Sequence, residues 1–176
     1  MSHDFLAVDR TQPFQGERPV ARSPMERLAR AAGARFAVRD DWNVAVAYAD
    51  AEHEARAAAE AVAWADSSHL GKLELQARPD DLRSIVGRSI PGEELELGRS
   101  TRAADAWWCP LTAERVLVLC PPGPLPTLRE ELEQATRACA GRAGVVEVTT
   151  AYAALTIAGP GARELFARFT ALDLRP

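Results

Sequence analysis

ADSSHLGKLELQ, residues 65–76, is the stretch on which the fold turns. A polar cluster, Asp66-Ser67-Ser68-His69, runs into an alternation in which Gly71, Leu73 and Leu75 share one face and Lys72 and Glu74 the other. A period of two marks a half-buried strand, because successive side chains leave opposite faces of the pleat. The chain upstream delivers to this strand, and the polar cluster is the turn that admits it.

Working outward, residues 1–22 mix Asp, Gln, Arg, Pro and Gly around isolated apolar residues such as Phe5 and Phe14, the pattern of a mobile arm. Ser23, Pro24 and Glu26 then spell a capping box, with Met25, Leu28, Ala29 and Ala32 on one helical face and Gly33 at its end. Residues 35–48 form a strand or hairpin broken at Asp40-Asp41. Asp50 caps an alanine-rich helix whose Ala55, Ala58, Ala59 and Val62 should pack closely on a sheet.

Beyond the central strand, Pro79 opens a helix carrying Leu82, Ile85 and Val86 inward, with Gly87 as its stop. A short strand is expected at 95–97, and two more at 103–108 and 116–120. The prolines of 121–126 halt the last of these. Thr127 and Glu130 suggest a second capping box, with Leu125, Leu128, Leu132, Ala135 and Cys139 at helical spacing. Strands at 145–148 and 153–157 precede Gly159-Pro160-Gly161 and a closing helix with Leu165, Phe166 and Phe169 inward. Helices alternating with strands and strand pairs predict an α+β fold, sheet layers covered by helices.

At 176 residues and 47% hydrophobic, the chain can bury a core as one domain or two small lobes. A net charge of −4 with scattered Lys and Arg argues against nucleic acid and against an anionic membrane surface. No apolar run approaches the roughly 20 residues that a bilayer crossing needs, and no leader opens the chain, so a soluble cytoplasmic protein is expected. Cys109, Cys120 and Cys139 lie far apart and the histidines are unpaired, which predicts reduced thiols and no metal site.

Ser67, Ser68 and His69 invite a nucleophile-base reading, but no nucleophile elbow surrounds them, and capping the turn is the better account. Gly159-Pro160-Gly161 lacks the spacing of a phosphate loop and reads as a strand-to-helix turn. Trp107 and Trp108 are neighbours on a predicted strand, so one faces the core and the other outward, where it can stack on a flat heteroaromatic ligand. Asp105, the only acid on that strand, is either a solvated carboxylate or a partly desolvated proton acceptor.

Several stretches occur in the order found in the glycine cleavage T-protein (aminomethyltransferase) superfamily. They are RSPMERLARAAGARF at 22–36, Trp42 and Tyr48, EHEA at 52–55, DSSHLGKLEL at 66–75, and LTIAGPGARELF at 155–166. The DSSHLGK stretch is most similar to the transferase, whereas the short length and residues 145–176 resemble the gamma subunit of heterotetrameric sarcosine oxidase. The resemblance implies a folate-binding domain over 23–176 that lacks the family's C-terminal barrel, with tetrahydrofolate as cofactor.

It implies that Leu70 lies against folate and that Asp105 falls at or within one residue of the family's catalytic aspartate. Trp108 is the expected ring of the cofactor site. Cys120-Pro121-Pro122 stands where the family has an Asn-containing turn. Two functions follow from the resemblance: a tetrahydrofolate-dependent transfer component, or a non-catalytic subunit of a one-carbon or oxidase complex. Either implies partner subunits or self-association.

Overall fold

The computed structural model describes residues 19–139 and 141–171. In chain order these carry β1 (Ala21–Arg22), α1 (Glu26–Ala31), β2 (Arg35–Arg39) and β3 (Trp42–Ala47). Then come α2 (Ala51–Glu60), β4 (Ala63–Asp66), β5 (Gly71–Ala77) and α3 (Pro79–Ser89). The second half holds β6 (Thr101–Ala103), β7 (Ala106–Thr112), β8 (Arg115–Cys120) and α4 (Leu125–Arg137). β9 (Ala143–Glu147), β10 (Leu155–Ala158) and α5 (Ala162–Ala167) complete an α+β architecture. Most of the expected arm, residues 1–18, and residues 172–176 of the expected domain lie outside the described residues.

β5 is an interior strand, between β8 and β9, of a five-stranded antiparallel sheet of order β6-β7-β8-β5-β9. Its Leu73, Leu75 and Ala77 point to the face covered by α3 and α4, where they join Leu82, Ile85, Val86, Trp108, Val116, Val118 and Leu132 in one core. Each such large apolar side chain, fully removed from water, stabilises the fold by roughly 1.5–3 kcal/mol. Gly71 belongs to the same face because a side chain there has no room: a Cβ would lie 2.9 Å from Leu125 Cδ1 and 3.0 Å from Cys120 Sγ. The missing side chain lets the first turn of α4 lie directly on the strand.

Two smaller sheets flank this layer, β1-β3-β2 and the antiparallel pair β10-β4. β2 and β3 form the expected hairpin, with Asp40 and Asp41 at φ 49° and 61° as the two-residue turn. Part of the expected arm is ordered here, since Ala21–Arg22 pairs in parallel with Trp42 and Asn43 of β3. α1 buries Ala29 and Glu26, while Leu28, expected inward, is 60% exposed.

Other expectations are corrected. No strand forms at 95–97, and Gly87 lies within α3 rather than ending it. α4 begins at Leu125, ahead of the expected Thr127 cap, and no side chain caps its start. α2 starts as expected, with Asp50 accepting from the His53 N–H at 2.9 Å, yet it buries no residue. α5 is also without buried residues, and Phe166 and Phe169, expected inward, are exposed. No helix among the described residues is long and apolar enough to cross a membrane.

Candidate functional site

The helix-free face of the five-stranded sheet meets the β4–β10 pair across a cavity of about 380 Å³. That volume is within the usual range for a small-molecule site, about 300–1,000 Å³. Its floor is strand: Trp107 and Cys109 of β7 and Leu119 of β8. Leu70 closes one side from the turn before β5, and Ala154, Leu155 and Thr156 close another. Arg102 and Asp105 stand at the β6–β7 corner.

The register explains why Trp107 and not Trp108 reaches the cavity. β7 pairs Trp108 with Val118 and Trp107 with Leu119. Val118 belongs to the helix-covered core, so Trp108 does too, fully buried with its indole N–H donating to Ala103 O at 3.2 Å. Trp108 is therefore corrected from a ligand-facing ring to a core residue. Trp107 takes the open face at 48% exposure, with the Arg102 guanidinium 5.9 Å from its ring. The run of apolar residues in β8 hides this parity from the sequence, because both of its faces are apolar.

Asp105 is also moved relative to expectation. It is not on a strand but in the two-residue turn between β6 and β7, where Ala104 and Asp105 adopt φ 50° and 55°. Its carboxylate is exposed at the mouth of the cavity rather than desolvated between tryptophans. Leu70 and Asp105 thus share one cavity, while Trp108 lies on the far side of the sheet.

The serine-histidine cluster builds the wall. Ser67 Oγ and Thr156 Oγ1 share a hydrogen bond of 2.6 Å, the Ser67 N–H donates to Ala154 O, and the Ala154 N–H donates to Ser68 Oγ. The Ser68 N–H donates to Asp66 Oδ1 at 3.0 Å. Among the described residues no hydrogen bond joins either serine to His69, whose pKa burial lowers against the opposing charges of Asp66 and Asp40. The cluster is a turn, as the sequence suggests. Gly159-Pro160-Gly161 is likewise occupied by protein, with the Gly161 N–H donating to Ala61 O at the end of α2.

Sequence reasoning missed Lys72. It sits on the expected face of β5 yet is 1% exposed, and burial lowers its pKa against the opposing charge of Asp66. Among the described residues no group of three or more His, Cys, Asp or Glu is placed to hold a metal. Cys120 is buried, which raises its pKa, and all three cysteines are free thiols.

No family model and no curated protein matches the chain. Solved structures do. The glycine cleavage system aminomethyltransferase T from Bartonella henselae is similar at a TM-score of 0.71 and 17% identity, over 85% of this chain and 43% of that one. The heterotetrameric sarcosine oxidase from Corynebacterium sp. U-96, in complex with pyrrole 2-carboxylate, is similar at a TM-score of 0.56 and 19% identity. That match covers 72% of this chain and 67% of the oxidase chain. The present chain spans less than half the length of the aminomethyltransferase it matches. Identities this low establish the fold, and the fold is the one that the aminomethyltransferase and sarcosine oxidase chains share with this protein.

Proposed function

We propose that this chain binds a reduced folate in the cavity between the open sheet face and the β4–β10 pair, and serves one-carbon metabolism as one component of a larger assembly. The observation that carries the reading is the pairing of a flat aromatic surface, Trp107, with a carboxylate, Asp105, at the mouth of an apolar cavity. A pterin needs both: a face on which to stack and an acceptor for the N–H groups of its aminopyrimidinone edge. Leu70, Leu119 and Leu155 supply apolar contact for the rest of the ring system. The fold shared with an aminomethyltransferase supports the same ligand class.

Independent turnover is not part of the proposal. Asp105 is exposed in the β6–β7 turn at the mouth of the cavity, and Pro121 stands on the cavity wall at the end of β8. Assembly with partner subunits, or with a second copy, is supported by large exposed apolar side chains beside the cavity. Leu155 is 50% exposed, Phe166 43% and Phe169 75%. Large exposed apolar side chains are common at interaction sites, and the similar sarcosine oxidase is a heterotetramer.

A ligand that binds only the native state raises stability by mass action, about 2.7 kcal/mol at 100 times its dissociation constant. Melting the protein with and without excess tetrahydrofolate should therefore raise the midpoint by several degrees, and Asp105→Ala should abolish most of the shift. No shift in the parent protein, or an equal shift in the variant, would reject this assignment.

A further inference from the structure

Lys72 is a charged side chain with almost no exposure and, among the described residues, no carboxylate within ion-pair distance, an arrangement that is costly unless each of its hydrogens is matched. Here each is. The ammonium donates to Ser68 O at 2.9 Å, Leu70 O at 2.9 Å and Thr149 O at 3.3 Å, three backbone carbonyls for three N–H bonds. The backbone of the same residue is tied in as well: its N–H donates to Thr149 Oγ1 and its carbonyl accepts from the Val148 N–H. One residue therefore joins β5, the turn over 66–70 and the loop that follows β9.

Those two irregular segments are the ones that wall the cavity. Ser67 and Leu70 come from the first, and the second leads to Ala154, Leu155 and Thr156. Across the sheet, Lys72 pairs with Leu119 and Leu119 with Trp107, so the lysine stem lies in the row that forms the cavity floor. An apolar residue of equal length would fill the same space. It would leave the three carbonyls without the lysine's hydrogens, and the turn would have to open toward water to satisfy them.

We propose that Lys72 is a positioning residue: its ammonium is an internal strut that holds the 66–70 turn and the 148–154 loop in the spacing that shapes the cavity. The lysine does not touch the ligand. Its compact head with three rotatable donors suits a cage of carbonyls, whereas the planar fork of arginine would not. The ligand half of the inference rests on the folate reading above; the strut itself does not.

The test uses Lys72→Met in the full chain, followed by hydrogen–deuterium exchange and by titration with tetrahydrofolate. Exchange at the Ser67, Leu70 and Ala154 amides should quicken about tenfold or more, while Val118 in β8 and Leu132 in α4 stay protected. Tetrahydrofolate affinity should weaken about tenfold, since the wall that carries Leu70 is no longer held. Lys72→Gln, which keeps an N–H donor on a shorter stem, should fall between parent and Met variant and serves if the Met variant folds poorly.

Unchanged exchange at Ser67, Leu70 and Ala154, or acceleration spread evenly to Val118 and Leu132, would overturn the strut. Loss of cooperative folding in both variants would overturn it too, because the ammonium would then support the whole fold rather than the wall. If the parent protein fails to bind tetrahydrofolate, the folate reading falls, and the exchange measurement still decides the role of Lys72.

Discussion

At Gly159 a methyl group would stand 2.5 Å from Ala61 O and 2.7 Å from Ala58 O, and the residue holds φ 109°. The C-terminal turn of α2 meets the chain at Gly159 backbone to backbone, and the Gly161 N–H donates to Ala61 O beside it. Gly159→Ala combines a disfavoured backbone conformation with overlap against carbonyl oxygens that cannot rotate away. It should destabilise the protein by about 2–4 kcal/mol, read as a lower urea midpoint with an unchanged slope. A loss below about 0.5 kcal/mol would mean that α2 is free to shift. Lys72 belongs at this scale too, and it shows what period alone does not reveal. Alternation placed it on the face opposite Leu73, where a charge implies water, yet the neighbouring turn folds over it.

Among the elements, legibility followed how local the causes are. The β2–β3 hairpin was readable because Asp40-Asp41 tolerates the left-handed turn, whereas Ala104 takes the same conformation in the β6–β7 turn without any compositional sign of it. That turn moved Asp105 off its strand. α3 was readable from Leu82, Ile85 and Val86, which it buries as expected; Gly87 misled because an exposed helical glycine need not end a helix.

In α1 the Ser23 hydroxyl accepts from the Met25 N–H, but Glu26 does not complete the box. It turns inward instead, taking Arg22 and Arg30 at 3.1 and 2.8 Å. Burial pushes the Glu26 pKa up, but hydrogen bonds from Arg30 and Asn43 and the charges of Arg22 and Arg30 outweigh it, so the net shift is downward. A carboxyl lowered in the folded state adds stability above its unfolded pKa, and that stability is lost as pH falls through the folded value. Both arginines are largely exposed, which keeps the contribution near 1 kcal/mol, on the order of a surface pair. Glu26→Gln should therefore be less stable than the parent at about pH 7, with the gap closing as pH falls below the ordinary glutamate range and through the lowered folded-state value. A gap that stays constant across this range would show that packing, not charge, is what the substitution removes.

The whole molecule has one well-filled layer and one open one. α3 and α4 cover a single face of the five-stranded sheet; the other carries the cavity, Trp107 and the Glu74–Arg115 pair. The sequence conveyed the α+β class and the family likeness because core periodicity and the order of stretches survive at 17–19% identity. It did not convey which aromatic rings face outward, since Trp107, Phe166 and Phe169 are large apolar residues whose burial depends on the parity of neighbouring elements. With these rings exposed, light scattering on the purified chain should show a species larger than a monomer, and a monomer at every concentration reached would count against assembly.

In the folate reading proposed above, Trp107 and Asp105 hold the ligand in the cavity. Calorimetric titration of tetrahydrofolate into the parent protein and into Trp107→Ala tests it most directly. Saturable binding at one site per chain is expected in the parent, weakened by about 1–3 kcal/mol in the variant through loss of the stacking face. Absence of binding in the parent, or equal affinity in the two proteins, would contradict it.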